Sequence, residues 1–369
     1  MLWNWALNRA TVDRLKWFRG FSASSRKKIL FLTIKNDISE AQIFPLFLYA
    51  RQLADQHGIE VRELPLHAFL ADPNPYDLHP DVVCFQTWFD LTAEQLTSLL
   101  EKIGSAWPAA KVAYFDWFAP TDLRYAETLT PLVSAYVKKQ VLADPDAYRI
   151  PTVGDTNLTD YYAKRFGLNL PQTHFAVPDG FWRKFVLGSG FELSPRIMRL
   201  LKREPAFEDR PFDLHARFAA NGSEWYEHMR REAKQKTAGL ATKYVVAHEG
   251  SVPPRRFTAE LRRSRFCLSP FGYGEVCWRD FEAMATGSVL LKPDMSHLRL
   301  AHPFFRPFET YVPLAWNLSD LDEKLAHYLR APDEARAIAR NAFDMLRAIY
   351  KNEQFLRDSE ALWPLVGID

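Results

Sequence analysis

The sequence predicts an α/β protein built as two domains, each with a parallel sheet, facing each other across a cleft. Three observations lead there. From Lys28 onward, apolar runs of strand length alternate with helical runs, and such alternation implies right-handed crossovers between parallel strands. The alternation stops over residues 141–210, a stretch with many prolines, and then resumes. The 369 residues are enough for two domains of ordinary size.

In the first unit KILFLTI (28–34) reads as a buried strand, Ile38 to His57 as a helix ended by Gly58, and Ile59 to Leu64 as a second strand. Pro, Asp and Asn mark 72–80 as a loop. DVVCFQTW (81–88) is a strand, Thr92 to Ile103 a helix, KVAYFDW (111–117) a strand and 130–140 another. In the second unit FDLHARFAA (212–220) is a strand and Glu224 to Leu240 a long helix. KYVVAHEG (243–250) is a strand with its loop, and Arg255 to Ser264 a helix. After the segment discussed below come a strand at 310–316 and a helix at 319–329 that Ser319 or Asp320 can cap. Helices at 332–350 and 353–363 end the chain. The expected division is 1–26 as an N-terminal amphipathic segment, 27–190 as a Rossmann-like domain with its linker, 191–350 as a second Rossmann-like domain, and 351–369 as a helix able to pack back on the first domain.

Apolar residues make up 47% and charged residues 25%, the balance of a soluble globular protein rather than a disordered one. A net charge of +2 argues against a dedicated nucleic-acid binder, which carries a basic field. The charge is uneven: residues 1–28 hold seven Arg or Lys against Asp13, a local net of +6. Trp3, Leu7, Thr11, Leu15 and Phe18 fall there at helical spacing. Tryptophan beside basic residues suits an interfacial membrane helix; a terminal helix packed on the body of the protein suits the pattern equally. The 3 cysteines are too few and too scattered for a disulfide framework or a zinc site, and a reducing compartment fits. No apolar run reaches the roughly 18 residues of a membrane span, and no signal peptide is visible. The expected location is cytoplasmic, with the inner membrane face as a resting place for residues 1–26.

The chemistry concentrates between Arg265 and Asp294. Phe266, Cys267 and Leu268 make a short strand, Ser269 to Gly274 a loop with two glycines, Trp278 to Thr286 a helix ended by Gly287, and Val289 to Leu291 the next strand. A loop opening a helix at the carboxyl end of a parallel strand offers free N–H groups and a positive dipole end to an anion. Arg279 lies in the first helical turn and Glu282 three residues on, along the same face. The guanidinium suits a diphosphate and the carboxylate suits ribose hydroxyls. A Rossmann-like crossover with a salt bridge from Arg279 to Asp280 or Glu282 is the plainer alternative.

FCLSPFGYG followed by WRDFEAMATGSVLLKPD resembles the nucleotide-sugar half of GT-B glycosyltransferases, exostosin-like enzymes above all. Phe266, Cys267, Leu268, Pro270, Gly272 and Gly274 match the loop, and Arg279, Glu282, Ala283 and Gly287 match the helix. ETYVPLAWNLSDLDEKL resembles the end of the donor domain in bacterial GT-B enzymes. The likeness covers roughly residues 243–350. It implies a GT-B fold, a UDP- or GDP-sugar donor as substrate with no further cofactor, Arg279 on the donor phosphates and Glu282 on the ribose. Ser269, Gly272, Tyr273, Gly274, His248, Glu249 and Lys292 complete the expected donor site. His248 could touch the transferred sugar or be a neutral cleft histidine, and Lys292 could equally be a rim charge. Retaining members often carry E-x7-E here; Glu275 and Glu282 give E-x6-E, which favours inversion.

An inverting transfer needs a general base near the acceptor hydroxyl and stabilisation of the leaving diphosphate. Asp37, Asp90, Asp116 and Asp122 all follow strands of the first unit; Asp37 and then Asp116 are the favoured bases. Trp88, Trp117 and Phe118 at the same edge suit stacking on a sugar face. The pairs Asp144–Asp146 and Asp320–Asp322 have D-x-D form, but neither ends an apolar strand, so no metal is expected. The sequence therefore points to a metal-independent transferase acting on a glycan or lipid-linked glycan acceptor in surface polysaccharide or lipopolysaccharide synthesis. A non-catalytic carbohydrate- or nucleotide-binding protein on the same scaffold, or a sugar-nucleotide epimerase, are the alternatives.

Overall fold

Among the described residues fifteen strands and the helices between them build two parallel sheets and two small ribbons. The structure is a computed structural model and describes residues 20–368 apart from Ser24 and Pro75. The expected amphipathic helix of residues 1–26 lies, through residue 19, outside the described residues. The strands are β1 (Lys27–Thr33), β2 (Ile59–Pro65), β3 (Val82–Phe85), β4 (Lys111–Asp116), β5 (Ala135–Lys138), β6 (Gln140–Leu142), β7 (Thr152–Val153), β8 (Gln172–Thr173), β9 (Phe185–Leu187), β10 (Phe212–His215), β11 (Val246–Ala247), β12 (Ser264–Leu268), β13 (Val289–Pro293), β14 (Leu298–Leu300) and β15 (Val312–Leu314).

The first sheet runs β2-β1-β3-β4-β5-β9, with every pair parallel. Its central strand shows why the sequence folds this way. Alternate side chains of a strand point to opposite faces. Ile29 and Phe31 enter one core with Phe44 and Phe47 of the Asp37–Leu48 helix, and Leu30 and Leu32 enter the other with Leu96, Leu99 and Ile103 of the Ala93–Ala106 helix. A strand covered on both faces must be apolar throughout. The second sheet runs β11-β10-β12-β13-β15, again parallel throughout.

Several elements differ from expectation for local reasons. The helix expected over 38–57 is two, Asp37–Leu48 and Ala50–His57; Tyr49 leaves helical geometry between them and stacks its ring on Phe355, 5.6 Å away. The strand expected over 130–140 is present but shorter, as β5, with β6 starting at Gln140 and a short helix, Ala126–Leu129, just before the span. The proline-rich stretch 141–210 is more than a connection. It supplies β9, the edge of the first sheet, and the helices Asn157–Phe166 and Pro195–Leu201. Thr156 caps the first of these helices and Ser194 the second.

The two sheets are tied at several points. β6 pairs antiparallel with β14, which joins residues 140–142 to 298–300. Arg165 pairs with Glu232 at 2.6 Å, and the Tyr162 hydroxyl donates to the Trp316 carbonyl at 2.9 Å. The Pro332–Lys351 and Gln354–Ser359 helices carry the chain back to the first sheet's helices, where the Lys27 ammonium donates to the Gly367 carbonyl at 3.0 Å. One core cluster accordingly runs from Ile29 and Phe44 through Tyr350 and Phe355 to Phe281 and Leu290.

Candidate active site

The carboxyl ends of both sheets meet around a cavity of about 540 Å³. Phe89, after β3, and Trp117 and Phe118, after β4, form its first-domain wall; Trp225 and Tyr273 form the opposite wall. The Trp117 indole donates to the Thr87 carbonyl at 2.8 Å, which fixes the ring at the cleft edge. Arg124 and Asp155 bring the charge, but Arg124 is already spent on Asp122 at 2.7 Å and Asp155 at 3.1 Å. An aromatic-walled cavity at the carboxyl ends of parallel strands is the usual setting for a ligand in such folds.

The two expected bases separate. Asp37 is exposed at the first turn of its helix, beside Ile38, which lines the cavity. Asp116 is fully buried beneath the aromatic wall. One of its oxygens accepts from the Tyr136 hydroxyl at 2.7 Å and the Lys138 ammonium at 2.8 Å, and the other from the Phe118 N–H at 3.0 Å. Those bonds occupy a carboxylate that has no exposed surface, so Asp116 holds the wall in place and does not reach into the cleft. The same burial drives the hydroxyls of Tyr114 and Tyr136 far above the usual phenol range, with the Asp116 charge adding to it.

The loop after β12 is arranged around Asp280, not around the expected pair. Asp280 accepts from the Ser269 hydroxyl at 2.6 Å and the Cys277 N–H at 2.8 Å, and pairs with Lys292 at 3.0 Å. Both charges are fully buried. Ser269 and Lys292, expected on the donor phosphates, are thus turned into the protein. Gly272 and Gly274 close the loop on each other by a hydrogen bond of 2.9 Å. A Cβ at Gly274 would lie 1.9 Å from the Ala119 carbonyl oxygen, so only glycine lets this loop seat against the first domain. Tyr273 is half exposed. Its ring stacks on Tyr226 at 4.6 Å, and its hydroxyl accepts from the Ser223 N–H at 2.9 Å.

Arg279 and Glu282 share a helix face in sequence but not their partners. Arg279 donates to the Arg217 carbonyl in the loop after β10, and its guanidinium lies 5.8 Å from the rings of both Phe218 and Phe257. Its Nε is buried with no partner among the described residues. Glu282 is buried and pairs with Arg196 of the Pro195–Leu201 helix, whose guanidinium lies over Trp278. His248 is half-buried and Glu249 exposed after β11; neither lines the cavity.

Besides Asp280 and the cavity-wall residues Phe89 and Trp225, sequence reasoning missed two buried residues of the second domain. Glu275, used only as a spacing marker, is fully buried. It accepts from Asn157 Nδ2 at 2.9 Å and Gln140 Nε2 at 3.1 Å, and lies 3.5 Å from His297 Nε2, so it joins the donor-side loop to the connecting segment. His215, at the end of β10, is buried beside Phe257 with neither ring nitrogen bonded. Burial first, and the nearby Arg279 charge second, push it down to about 3. The D-x-D aspartates serve turns and surface pairs: Asp144 accepts from the Asp146 N–H, and Asp322 pairs with Lys243. Among the described residues no group of three or more His, Cys, Asp or Glu is placed to hold a metal ion.

Residues 196–360 match the family model described as glycosyl transferase-like. That span holds the whole second sheet and its helices. That segment is glycosyl transferase-like, and it forms one of the two parallel-sheet domains. Among solved structures it is similar to a sucrose-phosphate synthase from Thermosynechococcus elongatus, at 12% identity over 92% of this chain and 98% of that one, with a TM-score of 0.49. A glycosyltransferase from Rickettsia africae gives 10% identity, 91% and 98% coverage, and 0.47. An α-glucosyltransferase solved with UDP and a 13-mer DNA gives 10%, 90% and 98%, and 0.48. No curated protein matches the sequence. The family-matched segment supplies Trp225 and Tyr273 to the cavity, and the first domain supplies Phe89, Trp117 and Phe118. Among the described residues no helix is long and apolar enough to cross a membrane.

Proposed function

We propose that the protein transfers a sugar, with inversion, from a UDP- or GDP-linked donor to a glycan or glycolipid acceptor in surface polysaccharide or lipopolysaccharide synthesis. The observation that carries this reading is the cavity of about 540 Å³ between the carboxyl ends of the two sheets, walled by aromatics from both domains. Aromatic faces suit sugar rings, and water exclusion strengthens every charge interaction inside. In this reading Arg279 holds the leaving diphosphate. It stands in the first turn of the Trp278–Thr286 helix with Nε unbonded, and a guanidinium offers five donors in a fixed fork. Gly272, Tyr273 and Gly274 shape the donor side of the cleft, and Asp37 is the general base.

One observation favours a non-catalytic binding protein instead. Asp280, Lys292 and Glu282, the charges nearest Arg279 on this helix and strand, are all satisfied internally. Two measurements separate the readings. UDP or GDP at a hundredfold excess over Kd should stabilise the protein by about 2.7 kcal/mol, seen as a thermal shift. Arg279→Ala should lower donor hydrolysis and sugar transfer by about 10²–10³. Nucleotide binding without turnover selects the binding protein; transfer unaltered in Arg279→Ala removes Arg279 from the mechanism.

A further inference from the structure

A second cavity, of about 470 Å³, opens on the first domain at the carboxyl ends of β1 and β2. Its walls are mainly apolar, with Ile34, Leu66, Leu70, Trp88, Leu91 and Leu99 against the polar Thr33, Gln95 and Ser98. Leu70 keeps 48% of its surface exposed and Trp88 44%. Large apolar side chains left open together on one concave surface mark a binding site rather than ordinary surface.

The titratable side chains that line it are all basic. Lys35, His67 and Lys102 border the groove, and no carboxylate lines it. None of the three makes an ion pair or side-chain hydrogen bond among the described residues. An apolar trough with unpaired basic groups and no acid is complementary to an anionic amphiphile. The chain lies on the leucines, while the lysine stems cover apolar surface and carry their ammonium groups to a phosphate.

The groove also adjoins the interdomain cleft. Trp88 borders the groove and the next residue, Phe89, lines the cleft. The Trp88 ring meets Trp117 of the cleft wall edge-on at 5.9 Å. Ile34 and Lys35 stand on the groove side of the first strand's end, and Ile38 on the cleft side. Groove and cleft are therefore two sides of one aromatic ridge, 88–89 with 117–118.

We propose that this groove holds the hydrocarbon chain and phosphate of a lipid-linked acceptor, whose sugar crosses the Trp88–Phe89 ridge into the cleft. The proposal deepens the transferase reading and rests on it for the word acceptor. The binding of an anionic amphiphile is tested separately.

The probe is dodecyl phosphate below its micelle concentration, titrated calorimetrically into the full-length protein, with dodecanol and inorganic phosphate as controls. Dodecyl phosphate should bind one to one, dodecanol at least tenfold more weakly and inorganic phosphate not at all. The double variant Lys35→Gln, Lys102→Gln should weaken dodecyl phosphate at least tenfold and leave dodecanol unchanged. Leu70→Glu should abolish both, while keeping the wild-type thermal shift with nucleotide diphosphate. That retained shift shows the variant is folded. Absence of dodecyl phosphate binding, or equal binding to wild type and both variants, overturns the proposal. So does binding to anionic vesicles that free dodecyl phosphate does not compete away, which assigns the groove to a bilayer surface. Self-association abolished by Leu70→Glu assigns it to a second copy and overturns it too. A protein that binds dodecyl phosphate but no nucleotide diphosphate keeps the groove and loses the transferase reading.

Discussion

The carboxyl edges of the two sheets are built from similar strands and differ in what they leave free. On the first-domain edge Asp116 is buried with Lys138, while Lys35, Asp37, Trp88 and Phe89 stay open to solvent. On the second-domain edge Asp280, Lys292, Ser269 and Glu275 are each fully buried and bonded or paired. The segment richest in recognisable sequence pattern is therefore mostly scaffold, and the open binding surface lies largely on the domain with the plainer sequence. A motif of charged residues reports where a loop is held rigid at least as often as where a ligand sits.

The sharpest way to break this contrast is at Asp280. Asp280→Ala leaves Lys292 charged and unpaired in a site with no exposed surface, and removing one partner of a buried pair costs about 3–5 kcal/mol. Chemical denaturation should show that loss. A change below 1 kcal/mol would mean that the second edge is as open as the first.

Gly274→Ala comes next. The new methyl meets the Ala119 carbonyl, part of the backbone, at 1.9 Å, so the loop or the first domain must move. The expected cost is about 1–3 kcal/mol, typical of overpacking, and small-angle scattering should report a more open molecule. Unchanged stability and scattering would show that the two edges do not press on each other.

The third test uses pH. His215 is pushed down to about 3 by burial and then by Arg279, so the fold takes up no proton there near neutrality. The unfolded chain, with an ordinary histidine near 6.5, does. Stability from this group is complete above pH 6.5 and falls as pH drops toward 3. At about 1.4 kcal/mol per pH unit, the loss is about 2 kcal/mol by pH 5. His215→Leu should flatten that part of the denaturation profile against pH. An equally steep profile in the variant would place the acid sensitivity elsewhere.

Local signals read well where the chain decides its own structure. The helices Glu224–Leu240 and Trp278–Thr286 begin and end at the expected residues, and Gly287, at φ +72°, closes the second. The central strands were legible because strands covered on both faces must be apolar. β9 was not: three residues, Phe185–Leu187, are a strand only because β5 lies beside them. The expected strand 243–250 shrinks to Val246–Ala247 for the same kind of reason, since only those residues meet β10.

The site divides in the same way. Trp117 and Phe118 follow a strand and are legible as cleft aromatics, whereas Tyr273 is legible only as part of the donor loop and Trp88 lines the neighbouring groove. Glu275 was not, because its partners Asn157 and Gln140 lie 118 and 135 residues away. Asp280 had a signal that went unused: it stands three residues after Cys277, the spacing of a capping box. Arg279, Asp280 and Glu282 are close in sequence, but the packing around the helix sends them to three different neighbours.

The antiparallel ribbon of β6 and β14 crosses from one lobe to the other. Its ladder joins Gln140 with Leu300, Val141 with Arg299 and Leu142 with Leu298, and the Ala143 N–H extends it to the His297 carbonyl at 2.8 Å. Pulling the lobes straight apart would tear that ladder, whereas twisting about its length would leave it intact. Those few backbone hydrogen bonds therefore resist separation of the lobes more than they resist rotation about the ribbon.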